Sequence, residues 1–94
     1  MQVKWLRTAL RNLDEEAAYI AADDAAAARR VVQRVLDAAA VLEQQPALGR
    51  PGRVPGTREL VVDKTRYVVP YRVRLETIEI LRVFHTSRRL PARW

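Results

Sequence analysis

The stretch RYVVPYRVRLETIEILRVFHT, residues 66–86, decides the fold. Apolar and polar residues alternate along it, and β-branched and aromatic side chains dominate. That pattern suits a pleated, half-buried surface. Glu76–Thr77 supplies a turn, so the stretch reads as a hairpin of strands 66–75 and 78–86. A two-residue turn there sets Leu75 opposite Ile78, Arg74 opposite Glu79, Tyr71 opposite Arg82, Val69 opposite Phe84 and Val68 opposite His85. Arg74 and Glu79 then form a favourable cross-strand pair. Pro70 cannot donate to a ladder, so it must fall at a bulge, an edge or a position facing no partner. A bulge would shift every pair beyond it.

The register sorts side chains by face. One face carries Tyr67, Val69, Tyr71, Val73 and Leu75 with Ile78, Ile80, Arg82 and Phe84, and is expected to pack on helices. Arg82, pointing that way, is expected to pair with a helix carboxylate. The other face carries Arg66, Val68, Pro70, Arg72 and Arg74 with Glu79, Leu81, Val83, His85 and Ser87. A surface both basic and apolar suits a protein partner at least as well as a nucleic acid.

Upstream, RELVV (58–62) reads as a strand and DKT (63–65) as a turn. Residues 46–57 hold three Pro and three Gly and read as a loop. Before it the period changes to that of a helix. Ala28, Val31, Val32, Val35, Ala39 and Leu42 share one face of a helix that Asp24 caps and Pro46 ends. An earlier helix, capped by Thr8, shows Leu10, Leu13, Ala17, Ile20 and Ala21 as its apolar stripe, with Asp14, Glu15 and Glu16 off it. QVKWL (2–6) reads as a first strand. The class is α+β in the order β-α-α-β-β-β: a helical hairpin against one face of a small, mainly antiparallel sheet. A chain of 94 residues is expected to form one domain, 1–94.

Composition narrows the function. The apolar fraction is 49 % and the charged fraction 30 %, as in globular proteins. No apolar run approaches the roughly 20 residues that span a bilayer, and the N-terminus lacks a signal-peptide core. No membrane role is expected, and the cytoplasm is the default compartment. With no cysteine and one histidine, neither a metal site nor a cofactor is implied. Net charge is +6, and its excess lies entirely in residues 47–94, which carry eleven Lys/Arg against four Asp/Glu. Such asymmetry points to a polyanionic or acidic partner.

Four pieces in this order and spacing, AAYIAADDAAAARRVV (17–32), LEQQPALGRPGRVPGTRELVV (42–62), YVVPYRV (67–73) and ILRVFHTSRRLP (80–91), carry a resemblance over nearly the whole chain. The chain resembles the ParE branch of the RelE/ParE toxin superfamily. That resemblance implies a microbial-ribonuclease-like fold and a growth-inhibiting toxin of a bacterial type II toxin–antitoxin module. It implies a cognate, ParD-like antitoxin that binds through its C-terminal segment and alone contacts operator DNA. It also implies DNA gyrase as the target, as for ParE-type toxins, whereas RelE-type toxins cleave mRNA on the ribosome.

The ribonuclease branch places lysines and arginines on the open sheet face to activate a 2′-hydroxyl and stabilise phosphorane charge. The corresponding positions here hold Glu59, Val61, Val68 and Thr86. A valine can neither transfer a proton nor stabilise an anion. His85 is the one weak catalytic candidate, since some ribonuclease members carry a histidine near this point. The expected function is therefore inhibition by binding. A ribosome-dependent ribonuclease and a non-toxic, antitoxin-binding remnant are the alternatives. Candidate antitoxin- or target-binding residues are Arg58, Arg66, Arg72, Leu81, Val83, His85, Arg88, Arg89 and Trp94, with Arg93 extending the basic tail.

Overall fold

The computed structural model describes residues 1–87 and 94. Strand β1 (Gln2–Trp5) leads into helices α1 (Arg7–Ala21) and α2 (Ala25–Val41). Four further strands complete the main sheet: β2 (Arg50–Pro51), β3 (Arg58–Val61), β4 (Tyr67–Arg74) and β5 (Thr77–Ile80). A short β6 (Phe84–His85) also pairs with β4. The order across the sheet is β1-β5-β4-β3-β2, with only β1 and β5 parallel. The α+β class and the helical hairpin on one sheet face are as the sequence predicts; β2 is an addition within the expected loop.

The core lies between the helices and one face of the sheet. Ala9, Leu13, Val35, Ala39 and Leu42 meet Leu60, Tyr67, Val69, Tyr71, Ile78 and Ile80 there. The stripe of α2 is the predicted one. The stripe of α1 is rotated: Ala9, Leu13 and Glu16 are buried, while Leu10 is 46 % exposed and Ala21 is exposed. Glu16 can take a core position because Tyr67 donates its hydroxyl to the carboxylate at 2.9 Å. Asp24 caps α2 as expected, accepting from Ala27 N–H at 3.0 Å. Thr8 caps nothing, because α1 already begins at Arg7 with Leu6 at the cap. Leu6 still donates its N–H to Ile80 of the sheet, so strand passes into helix with no residue to spare.

The β4–β5 hairpin turns one residue earlier than predicted, at Leu75–Glu76. Its pairs are Arg72 with Glu79, Val73 with Ile78 and Arg74 with Thr77. Leu75 takes φ 57°, a left-handed conformation that hairpins usually assign to glycine. The partner of β4 is also not one strand to residue 86. Leu81 donates to the Pro70 carbonyl at 2.9 Å, and ladder pairing resumes at Val68 with Phe84 and Tyr67 with His85. Two residues, Arg82 and Val83, thus oppose the single Val69, which is a bulge.

The loop after α2 is pinned to the sheet by the Tyr71 hydroxyl. It donates to the Pro46 carbonyl and accepts from Gly49 N–H, both at 2.8 Å. A Cβ on Gly49 would lie 2.6 Å from the Tyr71 ring, so this approach requires glycine. Tyr71→Phe strands the Gly49 donor in a buried position. The expected loss is about 1–3 kcal/mol, read as a lower urea midpoint with an unchanged slope.

Candidate functional site

The bulge after Leu81 decides which residues share a surface. Before it, alternation runs as predicted, and Arg72, Arg74, Glu79 and Leu81 stand on the face turned away from the helices. After it, the faces exchange. Val83 is not on the open face: it is 3 % exposed and packs in the core beside the helices. Phe84 turns to the open face instead. His85 turns to the helix side, edge-on to Tyr67 with ring centroids 5.2 Å apart.

The open face has an apolar floor and a basic rim. Leu6, Val54, Leu81 and Trp94 line a depression of about 520 Å³ together with Arg72 and Arg74. Trp94 packs on Phe84 at 5.3 Å between centroids, and the Arg53 guanidinium lies 5.9 Å from its ring. Arg82 joins this group, donating to the Trp94 backbone oxygen at 3.1 Å. The expected pairing of Arg82 with a helix carboxylate is thereby corrected: the bulge redirects the side chain to the other side of the sheet. Arg72 bonds Glu79 at 2.5 Å. That bond, rather than one from Arg74, is the cross-strand pair.

Glu59 also belongs to the open face, opposite Pro70. It is 3 % exposed, yet it is not available for chemistry. Its carboxylate accepts from the Arg50 side chain at 3.3 Å and from Arg53 N–H at 3.0 Å. These bonds fold the 50–57 loop back over the sheet, which brings Arg53 to Trp94. Val61 and Val68 lie beside it as a purely apolar pair.

On the helix side, His85, Arg66, Ser87, Tyr67, Glu16 and Tyr19 line a cleft of about 430 Å³. The imidazole has a definite tautomer. Ser87 N–H donates to Nδ1 at 3.2 Å, and the Ser87 hydroxyl lies 2.7 Å from the same nitrogen. A backbone N–H can only donate, so Nδ1 is the acceptor and the neutral ring carries its hydrogen on Nε2.

Of the other residues singled out from sequence, Arg58 faces the helices. It donates to the carbonyls of Ala47 and Gly49 at 3.3 and 2.7 Å and so holds the same loop as Tyr71. Arg66 is exposed at the rim of the His85 cleft. Arg88, Arg89 and Arg93 lie outside the described residues. Arg53 and Phe84 were missed as site residues. Arg53 depends on a contact with Trp94 far along the chain, and Phe84 on the bulge that turns it to the open face. No group of three metal-ligating side chains occurs among the described residues, and no helix among them is long and apolar enough to cross a membrane.

Two measurements check this geometry. The Arg72 hydrogen bond, aided by the charges of Arg72, Arg74 and Lys4, holds the Glu79 carboxyl below its ordinary value of 4.5. A lowered carboxylate stabilises the fold above its unfolded pKa and loses that contribution as pH falls through the folded value. Wild type is therefore expected to melt above Glu79→Gln at pH 6–7, with the gap closing as the pH falls below about 4.5. For His85, two-bond ¹H–¹⁵N spectra at pH 8 are expected to show the Nε2–H tautomer; an Nδ1–H pattern would contradict the bond from Ser87.

Comparison with known proteins adds three findings. The family model described as the ParE toxin of the type II toxin–antitoxin system parDE matches residues 3–90. A protein of Sinorhizobium fredii described as a candidate toxin is 47 % identical over 90 residues, covering 96 % of this chain and 93 % of its own. A solved chain of the chromosomal ParDE toxin–antitoxin system from P. aeruginosa superposes with a TM-score of 0.82 at 32 % identity, covering 90 % of this chain and 95 % of that one.

Proposed function

The chain belongs to the ParE toxin family of type II toxin–antitoxin systems, and from that premise we propose that it arrests growth by binding DNA gyrase, not by catalysis, and is held inactive by a cognate antitoxin. The observation that carries the non-enzymatic reading is Glu59. The position where ribonuclease relatives keep a lysine holds a buried carboxylate already engaged by Arg50 and Arg53. Val61 and Val68 beside it supply no proton and no positive charge. The whole chain acts as one unit in the cytoplasm, where gyrase works, and reaches operator DNA only through the antitoxin.

The open face is the surface for the antitoxin's C-terminal segment. Arg53, Arg72, Arg74 and Arg82 surround an apolar floor that includes Leu6, Val54 and Leu81. An extended segment alternating carboxylates with apolar side chains matches that arrangement in both charge and hydrophobicity. Arg66 and His85 form a separate, helix-side surface.

The ribonuclease reading has one observation in its favour: His85 shares a cleft with Tyr67, Arg66 and Ser87. A single experiment separates the two. The chain is expressed without its neighbour, and gyrase supercoiling and ribosome-coupled mRNA cleavage are assayed in parallel. Lost supercoiling, intact mRNA and undiminished toxicity of His85→Ala are expected. Cut mRNA with normal supercoiling would overturn the gyrase assignment, and unaffected growth would identify a non-toxic remnant.

A further inference from the structure

Trp94 occupies the open face in a way that resembles a ligand. Its ring lies on Phe84, Arg53 stands over it, and Arg82 donates to its backbone oxygen. A basic, apolar surface thus already holds an apolar group carrying an oxygen acceptor. One part of the contact is unsatisfied: the indole Nε1 is buried and has no hydrogen-bond partner. Buried tryptophans ordinarily give this N–H an acceptor, and a desolvated donor without one destabilises the docked state. The docked ring is therefore easier to displace than one whose N–H has an acceptor.

We propose that Trp94 is a built-in competitor: it sits where an acidic, apolar segment of a protein partner binds, and it leaves when that segment arrives. The proposal rests on the reading of the open face as the partner's surface. It adds that the site is self-occupied in the free chain. On exchange, Arg82 trades the Trp94 oxygen for a partner carboxylate, Arg53 and Phe84 trade its ring for a partner side chain, and Nε1 regains water. Self-occupancy lowers the apparent affinity by the fraction of molecules in which the face is covered.

The test uses the full chain labelled with 5-fluorotryptophan, whose two resonances belong to Trp5 and Trp94 and are assigned with Trp94→Phe. The probe is a synthetic peptide alternating glutamate and leucine. On titration the Trp94 resonance is expected to gain the solvent isotope shift of an exposed ring, while that of Trp5 does not. Trp94→Ala is expected to bind the peptide about 3–10-fold more tightly, after circular dichroism has verified its fold. Trp94→Phe keeps a ring without the stranded N–H and is expected to bind no more tightly than wild type, which keeps the test available should the alanine variant misfold. A Trp94 resonance that stays buried while the peptide binds, or weaker binding by Trp94→Ala, would make Trp94 a wall of the site and overturn the proposal. Peptide binding indifferent to Arg74→Glu, or absent from wild type and variant alike, would instead remove the open face as the partner's surface, and the displacement with it.

Discussion

The missing N–H of Pro70 governs the second half of the sheet. In an antiparallel ladder, residues directly opposite can exchange two hydrogen bonds. Leu81 donates to the Pro70 carbonyl, and proline has nothing to return. The facing chain leaves the ladder at this point, takes in one extra residue and rejoins at Phe84. Because side chains alternate with a period of two, one added residue exchanges the faces. Val83 fills the core, Phe84 makes a platform for Trp94, and His85 reaches Tyr67. A single absent donor thus separates an arginine-rimmed open face from a histidine cleft on the opposite side.

Most of the fold was legible because its signals are local and periodic. The α2 stripe needs only its own spacing, and the Asp24 cap needs only the residues that follow. The hairpin faces were readable up to Leu81 even with the turn misplaced, because a slip of two residues in pairing preserves every side chain's face. The turn itself was not readable, since Leu75 adopts a left-handed backbone that its identity does not advertise. In α1, Glu16 looked like a surface residue. Its burial depends on a tyrosine 51 positions away.

The candidate site was less legible, for the same reason. Arg72, Leu81 and Trp94 were recognisable from charge and alternation. The pairing of Arg58 with two loop carbonyls, the turning of Arg82 toward Trp94 and the burial of Val83 are tertiary facts. Proline's inability to donate was visible in the sequence; the direction in which the chain would yield around it was not. Histidine position, the feature most suggestive of chemistry, was the one most altered by that yielding.

The buried Glu59 carboxylate bears on how this chain could ever change trade. A lysine there would face the Arg50 guanidinium without a counter-ion and would offer no acceptor to Arg53 N–H. A buried ammonium without a carboxylate partner is costly, and the 50–57 loop would lose its anchor on the sheet. A lysine at this position of this chain would therefore come at the expense of the loop's attachment. The loop would first have to find another hold, so in this chain the exchange takes more than a single codon.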